Sequence, residues 1–217
     1  MIVEPDLRPM IFMRQINWNG KSGCPVSNWL GRSAVVCALT VLLNMLALPV
    51  TGEPLPKGML EALSLSGYPA HMNPPQFRSR TAKGQMVSLA DLRGRVVLLT
   101  FWASWCQECR PEMPVFEQLH RDFTAQGLTV LGVNVREGTQ AIESYARELG
   151  LTFPLVLDSN GEIRRSYGVI GLPTTFLIGR DGRTVALAVG PREWSSVPAR
   201  AIIQVLLTES VGTKVAP

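Results

Sequence analysis

The sequence predicts an α/β fold with a mixed central sheet and helices on both faces. Two continuous apolar runs, Val96–Trp102 and Leu128–Val135, have the composition of strands that are buried on both faces. Each run is followed by a segment in which apolar residues recur every three or four positions, as in an amphipathic helix. A hairpin signal and a final helical segment come next, and this order of elements predicts a sheet of mixed direction.

The first elements of the predicted domain are short. Gln76–Arg80 and Gln85–Ser88 are separated by a turn that contains Gly84, which predicts a hairpin. Leu89–Arg93 then predicts a brief helical turn that ends at Gly94, directly before the first buried strand.

Three longer helices follow from the apolar spacing. The first is predicted from about Gln107 to Gln126 and ends at Gly127. Pro111 and Pro114 predict a bend in this helix because each removes a backbone hydrogen bond. The second is predicted over Gln140–Leu149. The last covers Glu193–Glu209, and its first turn suits Pro198.

The C-terminal half also predicts a second hairpin. Thr174–Ile178 and Arg183–Val189 have strand character and enclose the turn Arg180-Asp181-Gly182. These two strands complete the expected sheet.

Composition excludes several functional classes. Apolar residues make up 46% of the 217 residues and charged residues 18%, which is enough apolar material for a packed core and argues against disorder. The net charge of +4 is spread along the chain without a block of like charges. We therefore expect no nucleic-acid partner and no polybasic membrane patch.

The N-terminal part predicts an export or anchor segment. Ala34–Val50 contains 17 residues without a charge, between the lengths of a signal-peptide core and a membrane span. Basic residues precede it and Glu53 follows it, so the positive-inside rule places the N-terminus in the cytoplasm. Small residues at 50–52 fit a cleavage site but the long leading stretch does not, which leaves tethered and released forms open.

The chain is thus divided into five predicted parts. These are a cytoplasmic segment (1–33), a signal or membrane-anchor segment (34–50), a linker (51–75), a folded domain (76–210) and a tail (211–217).

The most specific motif is a pair of cysteines, Cys106 and Cys109, where a buried strand meets a helix. A cysteine at a helix N-terminus is favoured as a thiolate, and a second one a turn later can attack a mixed disulfide on the first. Half of a zinc site, a structural disulfide and a pair of inert core cysteines are the alternatives. A zinc site would need a second pair of cysteine or histidine ligands at a suitable spacing, and the sequence contains none. A structural disulfide between residues three positions apart would cross-link almost nothing.

The residues around this pair resemble the thioredoxin superfamily. The stretch 100–106, TFWASWC, with Cys109 is similar to the active site of that superfamily, and three further features resemble its membrane-associated TlpA/ResA-like branch. These features are the SLADLRG stretch at 88–94, Glu112 with Met113-Pro114, and the GLPTTFLI stretch at 171–178. The resemblance implies a thioredoxin-like fold over about residues 75–207.

The resemblance also implies roles for individual residues. Cys106 is the expected nucleophile and Cys109 the expected resolving thiol, so that their redox-active disulfide is the only cofactor and no metal is expected. Pro173 is expected to follow a cis peptide bond. The substrate-binding surface is then expected to comprise Trp105, Leu172, Pro173 and Thr174.

Glu112 is the expected proton carrier for Cys109, because residues three apart are neighbours on a helix and burial raises the pKa of a carboxyl group. Its alternative is a solvated acid in the first helical turn. Cytoplasmic thioredoxins have an aspartate at the position of Thr100, which leaves Glu112 as the nearer candidate. Glu108 opposes a thiolate at Cys106 while the helix terminus favours it, so the redox potential stays open.

The expected function is thiol–disulfide exchange on envelope proteins at the extracytoplasmic (periplasmic) side of the inner membrane. The resemblance implies a reductant of disulfide-bearing proteins such as apocytochromes c, supplied with electrons by an integral membrane thiol carrier. One alternative is a peroxiredoxin-type peroxidase, although Ala103 and Leu99 stand where those enzymes have threonine and proline. Another is a non-enzymatic assembly factor that binds extended segments beside Pro173.

Overall fold

The computed structural model describes residues 55, 57–68 and 73–209. The predicted N-terminal segments 1–33 and 34–50 and the tail 211–217 therefore lie outside the described residues. Within the part that is described, no helix combines the length and the apolar character that crossing a bilayer requires.

A six-stranded mixed sheet forms the centre of the domain, with the strand order β1-β8-β7-β4-β5-β6. The strands β4, β5 and β6 are parallel, whereas β7 runs antiparallel to both β4 and β8. The strand bounds are β1 Ser66–Gly67, β2 Arg78–Arg80, β3 Met86–Ser88, β4 Val96–Trp102, β5 Leu128–Val135, β6 Leu155–Asp158, β7 Thr174–Ile178 and β8 Thr184–Val189. The predicted mixed sheet is confirmed.

Helices cover both faces of this sheet. The helix bounds are α1 Lys57–Ala62, α2 Glu112–Phe123, α3 Thr139–Leu149, α4 Glu162–Ser166 and α5 Val197–Thr208. Apolar residues of α1, α2, α3 and α5 form the core on one face, while α4 and the 3-10 turn Leu89–Leu92 contribute to the core on the other. The helices α2 and α3 share a face because both connect parallel strands across the sheet in the same direction, with the usual right-handed crossover.

The two outer strands of the sheet, β6 and β1, differ in their surroundings. On one side the hairpin of β2 and β3 lies against β6, where the Ala82 N–H donates to the Leu155 carbonyl and the Ser79 hydroxyl to the Leu157 carbonyl, both at 2.8 Å. On the other side β1 pairs with β8 and is itself the edge strand, with only two residues. One edge is therefore partly covered within the chain, and the other consists of a very short strand.

The predicted linker over residues 51–75 is wrong for residues 57–67. This part, which we call the N-terminal strap, contains α1 and β1, and its side chains Leu60, Leu63 and Leu65 are buried in the main core. The proline-rich composition around it indicated a loop. Burial of the three leucine side chains against the domain removes apolar surface from water, and this stabilises a folded strap despite the prolines nearby. The folded domain thus begins before residue 76.

The start of the active-site helix also differs from the prediction. The helix begins at Glu112 rather than Gln107, and residues 107–111 form a turn. Pro111 precedes the helix and Pro114 lies in its first turn, where an N–H has no intrahelical acceptor to lose. Neither proline therefore removes a hydrogen bond from the helix, and the reason for predicting a bend does not apply.

Besides α1 and β1 of the strap, two short elements were not predicted. The strand β6 has four residues and the helix α4 has five, so neither contains enough sequence for a periodic pattern.

Candidate active site

The cysteine pair lies in the turn between β4 and α2. Cys106 and Cys109 form a disulfide, with their Cα atoms 5.3 Å apart. Cys106 is 7% exposed and Cys109 1%, so the first sulfur is the more accessible one. The Cys109 N–H donates a 3.2 Å hydrogen bond to Cys106 Sγ. Although the helix starts later than expected, a backbone N–H thus still points at the first sulfur, which favours its thiolate once the bond is reduced.

The loop before β7 reaches the same end of the sheet. Phe101, at the end of β4, pairs with Thr174, at the start of β7, which brings the preceding Pro173 beside the strand that leads to Cys106. The Leu172–Pro173 peptide bond is cis, as expected. The Pro173 carbonyl accepts a 2.9 Å hydrogen bond from the Gly190 N–H, whereas the Leu172 backbone forms no hydrogen bond within the described part of the chain.

The residues expected to contact substrate have different environments. Trp105 is 66% exposed, Leu172 is partly exposed, and Pro173 is buried. Thr174 is also buried, and its hydroxyl donates a 2.8 Å hydrogen bond to the Gly171 carbonyl. The side chain of Thr174 is therefore engaged in holding the loop, while Trp105 and Leu172 present apolar surface to solvent.

Glu112 is not a solvated acid of the first helical turn. Its side chain is 4% exposed, and its Oε1 accepts hydrogen bonds of 2.8 Å from the Arg192 N–H and from the Trp194 Nε1–H. Its Oε2 is buried without a partner among the described residues. Burial raises the pKa of Glu112 to about 7, and the hydrogen bonds from Arg192 and Trp194 oppose that shift. The carboxyl group can thus gain or lose a proton near neutral pH.

Glu112 lies next to Cys109 and at a cleft. The Glu112 N–H donates a 3.1 Å hydrogen bond to the Cys109 carbonyl, so the acid follows Cys109 by one tight turn. The cleft has a volume of about 410 Å³, and its lining includes Glu112, Trp194 and Ser64 of the N-terminal strap. Two guanidinium nitrogens of Arg192 donate to the Ser64 carbonyl, Nε at 3.1 Å and Nη2 at 3.0 Å. The strap is thereby joined to the segment that holds Glu112.

Sequence analysis did not identify Arg192 and Trp194. They follow β8 in the stretch Gly190-Pro191-Arg192-Glu193-Trp194, which is irregular up to the helix α5 at Val197, whereas the final helix was predicted from Glu193. The position of a tryptophan and an arginine just after a predicted hairpin was the only sequence signal for them. Nothing in the sequence shows which carboxylate accepts their hydrogen bonds.

Thr100 and Trp102, on the strand that leads to the pair, carry no titratable side chain. Thr100 is fully buried, and its hydroxyl oxygen accepts a 3.0 Å hydrogen bond from the Thr175 hydroxyl. Trp102 is also fully buried and packs on Tyr145, with ring centroids 4.9 Å apart. Across the residues that the structure describes, no group of three or more cysteine, histidine, aspartate or glutamate side chains could hold a metal ion.

Comparison with known proteins places the domain in a family. The sequence pattern of the AhpC/TSA family matches residues 72–186, which is more than half of the chain. The chain belongs to the AhpC/TSA family. In this family it is similar to the thiol-disulfide oxidoreductase ResA of Bacillus subtilis, with 36% identity over 116 residues, and to that of Geobacillus thermodenitrificans, with 40% identity over 116 residues. These matches cover 54% of this chain, and 65% and 67% of the two relatives, so that the chain spans about two thirds of their length.

The domain is also similar to solved structures of other proteins. One is a thiol:disulfide interchange protein DsbE from Chlorobium tepidum, with 34% identity and a TM-score of 0.58 over 62% of this chain and 95% of that one. Another is StoA from Bacillus subtilis, with 30% identity and a TM-score of 0.51 over 65% of this chain and all of that one. The described domain is thus a thioredoxin-like domain of the thiol–disulfide oxidoreductase type.

Proposed function

We propose that this protein exchanges thiols and disulfides with extracytoplasmic protein substrates and acts on them as a reductant. The observation that carries the proposal is the Cys106–Cys109 disulfide beside the cis-Pro173 loop, with Cys106 the more exposed cysteine and the buried Glu112 carboxyl group following Cys109. Names of relatives as thiol-disulfide oxidoreductases support the same chemistry. The peroxidase alternative is not better supported than this one.

The reaction proceeds in two exchanges once the pair is reduced. The Cys106 thiolate attacks a substrate disulfide, so that a bond forms between Cys106 Sγ and one substrate sulfur while the other substrate sulfur leaves and takes up a proton. Cys109 then attacks Cys106 Sγ, the protein disulfide forms, and the second substrate sulfur leaves. One dithiol has become a disulfide and one disulfide has become a dithiol.

Glu112 serves the second exchange. Cys109 must lose its proton before it can attack, and Glu112 is the carboxyl group that follows it by one turn. A carboxylate whose pKa is about 7 can accept that proton and return it to the departing substrate sulfur. The unpartnered Oε2 is the atom that has capacity for a proton.

Substrate recognition uses the surface around the disulfide. Trp105 offers an exposed apolar ring, and the Leu172 N–H and carbonyl have no partner in the described structure. An extended polypeptide can hydrogen-bond to that backbone while its side chains contact the indole. We therefore expect the substrate to be a disulfide within an unfolded or extended protein segment.

The charge of Glu108 supports the proposed direction of exchange, in opposition to the Cys109 N–H that favours the Cys106 thiolate. Glu108 lies between the cysteines and is exposed, so its carboxylate opposes a thiolate at Cys106. Destabilising the thiolate favours the disulfide form of the pair, which makes the dithiol the better reductant. A substrate such as an apocytochrome c and an integral membrane thiol carrier as electron donor fit this direction.

The extracytoplasmic location is proposed from the apolar segment 34–50, whether it anchors the domain or is removed. It agrees with the secreted thiol-disulfide isomerase of Corynebacterium glutamicum, which is 26% identical with a TM-score of 0.56. The tethered and the released form place the same domain outside the cytoplasm.

The test is capture of mixed disulfides with the full chain. A Cys109→Ser variant keeps the attacking sulfur but cannot release its substrate, so it should retain envelope proteins through bonds that a thiol reductant cleaves. The control is the double variant Cys106→Ser with Cys109→Ser, which should retain none. If both variants retain the same proteins, the protein is a binder and the exchange proposal is wrong. If the purified wild-type protein oxidises the captured substrates, the direction is reversed.

A further inference from the structure

A second acidic side chain is bonded to the active-site loop. Glu137 lies in the connection between β5 and α3, and its carboxylate accepts three hydrogen bonds. Its Oε2 accepts from the Ser104 N–H and from the Asn134 Nδ2, both at 2.7 Å. Its Oε1 accepts from the Ser104 hydroxyl. Sequence analysis did not single out any of these residues.

These bonds join the carboxyl ends of two parallel strands. Ser104 belongs to the short loop that leaves β4 and reaches Cys106 two residues later. Asn134 is fully buried near the end of β5, where it pairs in register with Trp102 of β4. The Glu137 carboxylate therefore bridges the loop that carries the reactive sulfur and the neighbouring strand.

The backbone around Glu137 is itself anchored to a third strand. The Glu137 carbonyl accepts a 3.3 Å hydrogen bond from the Ser159 hydroxyl, and the N–H of the preceding Arg136 donates to the Asp158 carbonyl at 3.1 Å. A carboxylate on a fixed backbone positions what it binds, since the loop cannot move without breaking charge-assisted hydrogen bonds.

We propose that Glu137 is a positioning residue for disulfide exchange, which holds Ser104 so that Cys106 and Trp105 are presented to the incoming disulfide. The inference rests on the proposed function, because it concerns how the attacking sulfur of that reaction is oriented. Displacement of a reacting atom by about 1 Å costs up to roughly 100-fold in rate, so a loop held at both its N–H and its side chain has a kinetic consequence.

A glutamine at position 137 tests the acceptor. The amide keeps the size of the side chain but presents one oxygen and one NH2 group to three donors, so at least one donor at Ser104 or Asn134 loses its acceptor. Serine 104 provides a milder test, since alanine removes only the hydroxyl donor and threonine retains it.

The experiment measures the rate at which Cys106 attacks a small aromatic disulfide reagent, in the full chain carrying Cys109→Ser. Glu137→Gln should slow this second-order rate by about tenfold or more, Ser104→Ala should slow it less, and Ser104→Thr should restore the parent rate. The matched control is Glu162→Gln, an exposed glutamate of α4 on the opposite face, which should leave the rate unchanged. Thermal unfolding of every variant is recorded separately.

The outcomes separate positioning from stability and from the proposed function. If Glu137→Gln or Ser104→Ala lowers the melting temperature while the rate of attack stays within twofold of the parent, Glu137 is a structural residue and the inference is wrong. If Glu137→Gln does not fold, the Ser104 variants decide alone. If the parent itself does not react with the reagent, the failure lies in the proposed function.

Discussion

Trp194 Nε1 donates a 2.8 Å hydrogen bond to Glu112 Oε1, although the two residues are 82 positions apart in the chain. The indole is 1% exposed and packs on Phe116 of the same helix as Glu112, with ring centroids 5.7 Å apart. The carboxyl group of Glu112, which follows Cys109, is thereby held in a buried site by an indole that is distant in sequence but adjacent in the fold. The acid is held in place, and among the described residues only one of its oxygens has hydrogen-bond partners.

Replacement of Glu112 by glutamine should slow the resolving exchange. In the parent protein the rate should fall as the pH drops through about 7, because the protonated carboxyl group cannot accept a proton from Cys109. In Glu112→Gln this dependence should disappear, and the rate at pH 8 should be about 100-fold lower. Rapid-mixing measurement of the decay of a preformed mixed disulfide, across pH, checks both statements. An unchanged pH profile in the variant excludes Glu112 as the proton acceptor.

Replacement of Trp194 by phenylalanine should raise the pKa of Glu112 further, because the hydrogen bond from the indole favours the ionised form. Loss of a hydrogen bond to a charged group should shift the pH profile of the resolving step upwards by about one to two units. Trp102→Phe is the matched control, since its buried indole N–H has no partner in the described residues and no hydrogen bond is lost. A shift of equal size in both variants points to altered packing instead.

Stability should depend on pH through the same group. The pKa of Glu112 is raised from 4.5 to about 7, so the folded protein retains a proton at pH values where the unfolded chain has lost it. The free energy of unfolding should therefore be highest below about 4.5 with respect to this group, and should fall as the pH rises through 7, by roughly 3 kcal/mol at most. Denaturant unfolding at pH 5 and pH 8 measures the difference, which should vanish in Glu112→Gln and persist in the control Glu162→Gln.

The N-terminal strap should contribute to the stability of the domain. Leu60→Ala removes a side chain that is buried in the main core, and should lower the free energy of unfolding by about 2 kcal/mol or more. Glu61→Ala changes an exposed neighbour on the same helix and should have little effect. Urea unfolding of the two variants checks the contrast. If the two variants have the same free energy of unfolding, the strap does not stabilise the domain and the prediction of a linker is right.

Trp105 should affect binding of protein substrates more than chemistry. Its exposed indole has little packing to lose, so Trp105→Ala should leave the melting temperature nearly unchanged. The KM for a disulfide-bearing polypeptide should rise about tenfold or more because an apolar contact is lost, whereas reaction with a small disulfide reagent should be unaffected. Steady-state kinetics with the two substrates distinguish this outcome from a general loss of activity.

The central strands could be predicted because their signal is local. The strands β4 and β5 and the first strand of the C-terminal hairpin begin and end at the predicted residues, since continuous apolar runs bounded by glycine and polar residues mark buried strands. The cysteine pair and the proline after Leu172 are likewise local motifs. Their proximity follows from the antiparallel register of β4 and β7, and before the structure it was expected only from the family resemblance.

Long-range partners could not be predicted in the same way. The pKa of Glu112 depends on Arg192 and Trp194, which are 80 and 82 residues away, and no periodic pattern connects such positions. The strap was mistaken for a linker because short elements rely on tertiary burial rather than on their own propensity. The start of α2 was placed too early because the spacing of apolar residues does not reveal the turn at residues 107–111.

The hairpin against β6 and the shortness of β1 have a consequence for how the domain meets unfolded chains. A protein that reduces extended clients, as proposed, encounters exposed backbone continually, and a long open row of amides at a sheet edge would template stacking of such chains. One edge is partly covered by the hairpin and the other is a strand of two residues, whereas the Leu172 backbone has no partner in the described part of the chain. Under the proposed function, a client strand is thus favoured beside the disulfide rather than along the edges of the sheet.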